Sequence, residues 1–225
     1  MTGRRALAVS AALATMTLAV AFGPAGPALG DSATCSGSHV GETFANGVTV
    51  AAGQFCEISG STINGPVVVQ AGGLVRLLGG DHVTGNVTTD GGGVQITNLV
   101  NGGTIPRVDG NVAIRNSQDY VASPTVAYLQ VYICNASIGG SVSISDASGA
   151  GAIAVGGARC GGKGNQIGGN LVFQNNHPTP LPYDEHNNHV GNNVIGNALV
   201  CSGNTPAPID SGNVAHFKTG QCAAL

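Results

Sequence analysis

Ile167-Gly168-Gly169-Asn170-Leu171-Val172-Phe173 is one of six copies of a single phrase: an aliphatic residue, a spacer, Gly, another spacer, then two aliphatic-leaning positions separated by one. The other copies run Ile63 to Val69, Val83 to Thr89, Val108 to Ile114, Ile138 to Ile144 and Ile195 to Cys201. With Gly65, Gly85, Gly110, Gly140, Gly169 and Asn197 as anchors, the spacings are 20, 25, 30, 29 and 28 residues. Short strands recurring at such distances are the mark of a solenoid. Counted from each anchor, positions −2, +2 and +4 are Ile63/Val67/Val69, Val83/Val87/Thr89, Val108/Val112/Ile114, Ile138/Val142/Ile144, Ile167/Leu171/Phe173 and Ile195/Leu199/Cys201. Period-two alternation predicts that these share one face of a strand with the anchor, leaving small and polar residues at +1, +3 and +5 outside.

Stacked turns bring like positions together at about 4.8 Å. Position +1 then forms an outside ladder of Pro66, Asn86, Asn111, Ser141, Asn170 and Ala198, and position +5 sets Asp90 beside Arg115. Further pairs between the anchors, Val48/Val50, Leu74/Val75/Leu77, Val94/Ile96, Tyr128/Gln130/Tyr132 and Ile153/Val155, predict a second and sometimes a third strand per turn. Gly-rich corners such as Ala71-Gly72-Gly73 and Gly91-Gly92-Gly93 join them, where Gly permits positive φ. The expected fold is all-β, a single-domain parallel β-helix of about six to seven coils with disulfide-stapled caps. Residues 31–60 form the N-terminal cap, 61–202 the coils and 203–225 the C-terminal cap. Ser211-Gly212-Asn213-Val214 reads as a degraded seventh copy. An antiparallel β-sandwich is the competing architecture; the irregular spacings suit it, the constant anchor phrase does not.

Residues 1–30 have the layout of a secretory signal: Arg4 and Arg5, then an uncharged Ala/Leu/Val-rich stretch from Ala6 to Phe22, then a Gly/Pro/Ala segment suited to cleavage after Gly30. The apolar run is at the short limit for a membrane span. A released, extracellular product with no membrane span in the mature chain is therefore expected. All six cysteines (Cys35, Cys56, Cys134, Cys160, Cys201 and Cys222) fall after the leader, an even number that favours three disulfides. Fifteen connectivities are possible. The separations favour a sequential one, since 20, 25 and 20 residues enclosed by successive pairs are each close to one repeat. No Cys-x-x-Cys pair supports zinc instead.

Without Arg4 and Arg5 the chain keeps six basic and 11 acidic residues, which argues against nucleic acid or an anionic membrane as partner. Charged residues make up 8% of the sequence, Gly numbers 37 and Trp is absent. Stacked coils with small polar outer faces tolerate such a composition, and the regular Val/Ile/Leu spacing separates it from that of a disordered chain.

The leader, the terminal cysteines, the Ile-Gly-Gly-Asn-Leu type phrase and the closing Gly212-Asn213-Val214 with Thr219-Gly220-Gln221-Cys222 resemble uncharacterised secreted β-helix proteins of high-GC Gram-positive bacteria. The resemblance covers nearly all of the mature chain and implies export and architecture, with no assigned activity. More distantly the coil resembles pectate-lyase-type helices and bactofilins, at the level of fold alone.

Three places could carry function. The insert from Asn175 to Asn193 holds His177, Tyr183, Asp184, Glu185, His186 and His189, the densest titratable cluster in the chain. Asp184, His186 and His189 are the residues there that could take a divalent metal, and His/Asp/Glu together could support acid–base chemistry. The plainer reading is a solvated loop leaving one corner. Asp81, Asp90 and Asp109 with Arg107 and Arg115 are the second group, since acidic-polysaccharide lyases on this fold hold Ca²⁺ with carboxylates and place a Lys or Arg near the substrate. Here the acids fall at −4, +5 and −1 and form no single column, although Asp109 and Arg107 can meet on a neighbouring face. The third is the outer face itself, flat and Asn/Ser/Thr/Gln-bearing, suited to a polysaccharide, a cell-wall polymer or self-association. Tyr120, Tyr128 and Tyr132 are its only near aromatic cluster, read most simply as cover for an apolar flank. The expected role is a secreted, non-enzymatic structural or binding solenoid, possible at the cell envelope and needing no cofactor. The alternative is a polysaccharide lyase or glycosidase using Asp109, Asp184, Glu185 and His186, with Ca²⁺ as a possible cofactor.

Overall fold

The computed structural model describes residues 31–98, 103–118, 129–179 and 188–225. The leader at 1–30, Tyr120, Tyr128, Tyr183, Asp184, Glu185 and His186 lie outside them. The described chain is nearly all strand, its one helical element the 3₁₀ turn Ala158–Cys160. Three parallel sheets are visited in rotation, A then B then C, as far as Ala198–Ser202, after which the chain returns to sheet A at Phe217–Gly220; this makes the fold a parallel β-helix.

Sheet A stacks Ala33–Cys35, Val48–Val50, Val67–Val69, Val87–Asp90, Val112–Arg115, Val142–Ser145, Leu171–Gln174, Ala198–Ser202 and Phe217–Gly220. Sheet B stacks Gly37–Val40, Phe55–Ser59, Leu74–Leu77, Gly93–Thr97, Leu129–Cys134, Ala152–Gly156 and Asn188–Gly191. Sheet C is built of two-residue strands, Thr43–Phe44, Thr62–Ile63, His82–Val83, Arg107–Val108, Ser137–Ile138, Gln166–Ile167 and Val194–Ile195. At the corner between A and B an extra parallel pair, Ser148–Ala150 on His177–Thr179, extends two neighbouring turns.

The register follows the phrase residue by residue. Position −2 runs Ile63, Val83, Val108, Ile138, Ile167, Ile195 up sheet C. Position +2 runs Val67, Val87, Val112, Val142, Leu171, Leu199 up sheet A, and +4 runs Val69, Thr89, Ile114, Ile144, Phe173, Cys201. All are buried and most belong to one continuous core. Thr89 is the one hydroxyl in these columns, and its Oγ1 accepts the Gly92 N–H at 2.8 Å.

The strand assignment within the phrase needs correcting. The phrase does not lie on one strand: it breaks at the anchor, with −2 in sheet C and +2 and +4 in sheet A. The anchor is the corner. A Cβ built on Gly110 would stand 2.6 Å from the Gly85 carbonyl oxygen of the turn below and closer still to Asn86 Oδ1, so the turns approach too closely for any side chain there. Val48 and Val50 are likewise not an intermediate strand. They continue sheet A beneath Val67 and Val69, with Phe44 beneath Ile63, so Phe44 to Val50 is a further copy whose anchor is Asn46. In Leu129–Cys134 the inward residues are Val131 and Ile133, and Tyr132 lies on the other side of the strand, outside the main core. The proposed seventh copy is out of register: Val214 bridges Val194, so Ser211-Gly212-Asn213-Val214 overlies the corner Gly191-Asn192-Asn193-Val194, and Ala215 is the residue packed on the core.

The disulfides are the sequential set, Cys35–Cys56, Cys134–Cys160 and Cys201–Cys222. The first and last lie within the main core, and the middle one ties the 3₁₀ turn to the outer side of sheet B. Three such bridges belong to a chain that folds under oxidising conditions. No helix among the described residues is long and apolar enough to cross a membrane.

Candidate functional site

Arg107 and Asp109 flank the buried Val108, so strand alternation turns both outward from sheet C. His82 is the register partner of Arg107 on the preceding turn. These three meet: Asp109 Oδ2 is 2.9 Å from His82 Nε2, and Arg107 Nε donates to Asp109 Oδ1 at 2.6 Å. The bond to His82, then that to Arg107, holds the Asp109 carboxyl below its ordinary range. The expected meeting of Asp109 with Arg107 is present; His82 was missed. Its signal was available, because His82 and Arg107 both stand three residues before an anchor.

The cluster stands open to solvent, with side-chain exposures of 40% for His82, 34% for Asp109 and 63% for Arg107. Both carboxylate oxygens are engaged. Glycoside hydrolysis requires two carboxylates across a scissile bond, about 5 to 9.5 Å apart. Asp81 and Asp90 do not supply the second. Asp81 is 1% exposed and turned inward at the B–C corner, where Oδ1 accepts the Ser61 N–H and Oδ2 the Leu78 N–H, both at 2.8 Å. Burial pushes its carboxyl up to about 6, against the lowering effect of those two bonds. Asp90 lies on sheet A, in register with Arg115 and accepting from Asn116 Nδ2 at 2.7 Å.

Of the His-rich insert, His177 is exposed in the two-stranded extension. His189 sits in the wall of sheet B, with a side chain 5% exposed and Nδ1 3.2 Å from Asp210 Oδ2. That same oxygen accepts the Ala158 N–H at 3.0 Å, which joins the last turn to the 3₁₀ segment. Among the described residues no group of three or more His, Cys, Asp or Glu is placed to hold a metal ion. Tyr132 covers an apolar flank with Cys134, Ala152, Ala154 and Cys160.

Many other polar side chains among the described residues bind one turn to the next. On the outside ladder Asn86 Oδ1 accepts the Asn111 N–H, Asn111 Oδ1 the Ser141 N–H, Ser141 Oγ the Asn170 N–H and Asn170 Oδ1 the Ala198 N–H, at 2.8 to 3.1 Å. Two further columns run inside. At position −4, Asn165 Nδ2 donates to Asn193 Oδ1, Asn193 Nδ2 donates to Oδ1 of Asn213 stacked above it, and each of the three also donates to a strand-end carbonyl, of Ile133, Val155 and Val190. At the other corner Asn176 donates to Asn204, and Asn204 to Gln221. The recurrence of Asn at −4 in the later copies was the sequence signal for the first column.

Sheet A is the widest of the three, with nine strands. A shallow depression of about 430 Å³ lies over Val68, Thr88 and Ala113, with Gln70, Asp90 and Arg115 among the residues on its rim. No family model matches the chain, and no curated protein or solved structure matches it either.

Proposed function

We propose that the protein is a secreted, non-enzymatic β-solenoid with a structural or binding role outside the cell, at the cell envelope, of the kind its sequence resembles among high-GC Gram-positive bacteria. The observation that carries this reading is how the described polar groups are used. Buried amides, the inward Asp81 and the outer Asn ladder join coil to coil, and in the exposed His82–Asp109–Arg107 cluster both carboxylate oxygens are already bonded. Three disulfides and the leader-like residues 1–30 support export.

A binding and turnover screen of the oxidised protein tests this, using neutral and acidic polysaccharides and cell-wall material with and without Ca²⁺ and Zn²⁺. Retention on a polymer without new chain ends is the expected outcome. Cleavage that vanishes with a chelator, or in Asp184→Ala or Asp109→Asn, would replace the reading with a carbohydrate-active enzyme.

A further inference from the structure

We propose that the outer face of sheet A is a self-association surface, on which a second copy of this chain docks face to face. The proposal deepens the structural reading above and stands on it.

Alternation along each strand of sheet A sends positions +2 and +4 inward and leaves position +3 at the centre of the outer face. In register, that central row reads Thr49, Val68, Thr88, Ala113, Ser143, Val172. Every member is small or β-branched and none is charged. The pairings of sheet A proceed without a register shift, so the row is a regular array at the inter-strand spacing. The row has no aromatic platform for a sugar ring, the exposed Phe217 standing on the last strand beyond it, and no enclosed volume for a small molecule. Another flat array of small side chains can interdigitate with it at about 10 Å between sheets.

The charges select the arrangement. Asp90 and Arg115 stand at the same position of adjacent strands on the rim of the depression. A two-fold axis lying in the interface, parallel to the strands and midway between Val87–Asp90 and Val112–Arg115, sets each Asp90 over the partner copy's Arg115. The same operation lays Thr88 on Ala113, Val68 on Ser143 and Thr49 on Val172, placing unequal side chains opposite one another throughout. An isologous contact of this kind closes on itself as a dimer.

Area sets the strength. Eight of the nine strands overlap in this arrangement, about 38 Å of stack by about 13 Å of strand width, or roughly 1,000 Å² in total over both copies. That is the lower limit for a specific interface, so the dimer is weak and depends on concentration. The two rim ion pairs fix register more than they add affinity.

The test is sedimentation equilibrium of the oxidised protein over a series from low micromolar to near-millimolar concentration. The unaltered protein is expected to pass from monomer to dimer mass. Ala113→Arg, which puts a long charged chain at the centre of an exposed row, is expected to stay monomeric while keeping its circular dichroism and three disulfides. Arg115→Asp and Asp90→Arg should each raise the dissociation constant by about tenfold through like charges across the axis. An equimolar mixture of the two should recover the dimer, because only the mixed pair restores opposite charges at both contacts. Three results would overturn the proposal: a monomer at every concentration, unimpaired dimerisation of Ala113→Arg, or a mixture no better than its components. Each of these leaves the polymer screen, and the structural reading it tests, to its own outcome.

Discussion

Asp81 shows how much one side chain's surroundings decide. It occupies position −4, where later turns carry Asn165 and Asn193, and like them it accepts a backbone N–H from a neighbouring turn. A carboxylate there keeps its charge in a buried corner, and burial pushes its pKa from an ordinary 3.8 up to about 6. A carboxyl that holds its proton more tightly folded than unfolded stabilises the fold as pH drops. The gain begins as pH falls through about 6 and is complete below the ordinary value. It amounts to about 3 kcal/mol, at 1.36 kcal/mol per pH unit. Asp81→Asn removes that titration, so thermal unfolding of the variant should depend less on pH between 4 and 7 than that of the unaltered protein. Parallel profiles would mean that Asp81 is not buried as described. Asp109 acts with the opposite sign, its depressed carboxyl contributing above the acid range and losing that contribution as pH falls. Being exposed, it adds well under about 1 kcal/mol and is common to both proteins compared.

At the scale of the element, the turn is decided at its corners more than along its strands. The inward columns were legible because they obey a period of two, and the whole register of sheets A and C follows from the anchors. The break of the phrase at the anchor was not legible, since a residue that ends one strand and a residue within a strand satisfy the same alternation. Nor were the left-handed corners read in full. Six residues after the anchor, Gly91, Asn116, Asp146, Asn175 and Gly203 all take positive φ, so Asn and Asp stand in for Gly there, and only Gly had been taken as the signal. Close approach makes the anchor itself the sharper test. Gly110→Ala forces a methyl group against Gly85 and Asn86 of the turn below. Relief requires the two turns to separate, at a cost of about 1 to 3 kcal/mol typical of overpacking. Urea unfolding should show that loss as a lower midpoint with unchanged slope. An unaffected midpoint would mean that consecutive turns are less tightly stacked at this corner than their register implies.

At the scale of the whole molecule, a solenoid contacts only its neighbours in the stack, so stability is local and the ends are its weak points. The candidate site fared differently from the fold because a column advertises itself by repetition, whereas a cluster such as His82–Asp109–Arg107 arises once, from two turns meeting. The placement of the disulfides answers the weakness of the ends. Cys35–Cys56 lies within the first strands, and Cys201–Cys222 joins the last full strand of sheet A to the segment that follows its edge strand. Beyond Cys222 the chain turns back, with Leu225 packed on the core and Lys218 Nζ donating to its carbonyl. Loss of the last bridge in Cys201→Ser/Cys222→Ser removes about 3 kcal/mol by the loop-entropy model. Because cooperativity in a stack decays with distance, that loss should fall on the end rather than be shared by all. Hydrogen exchange is expected to lose protection in Ala198–Ser202 and Phe217–Gly220, while Val87–Asp90 and Val112–Arg115 keep theirs. Uniform loss across sheet A would instead show a column that unfolds as one unit, with the terminal bridge holding every turn and not only the last.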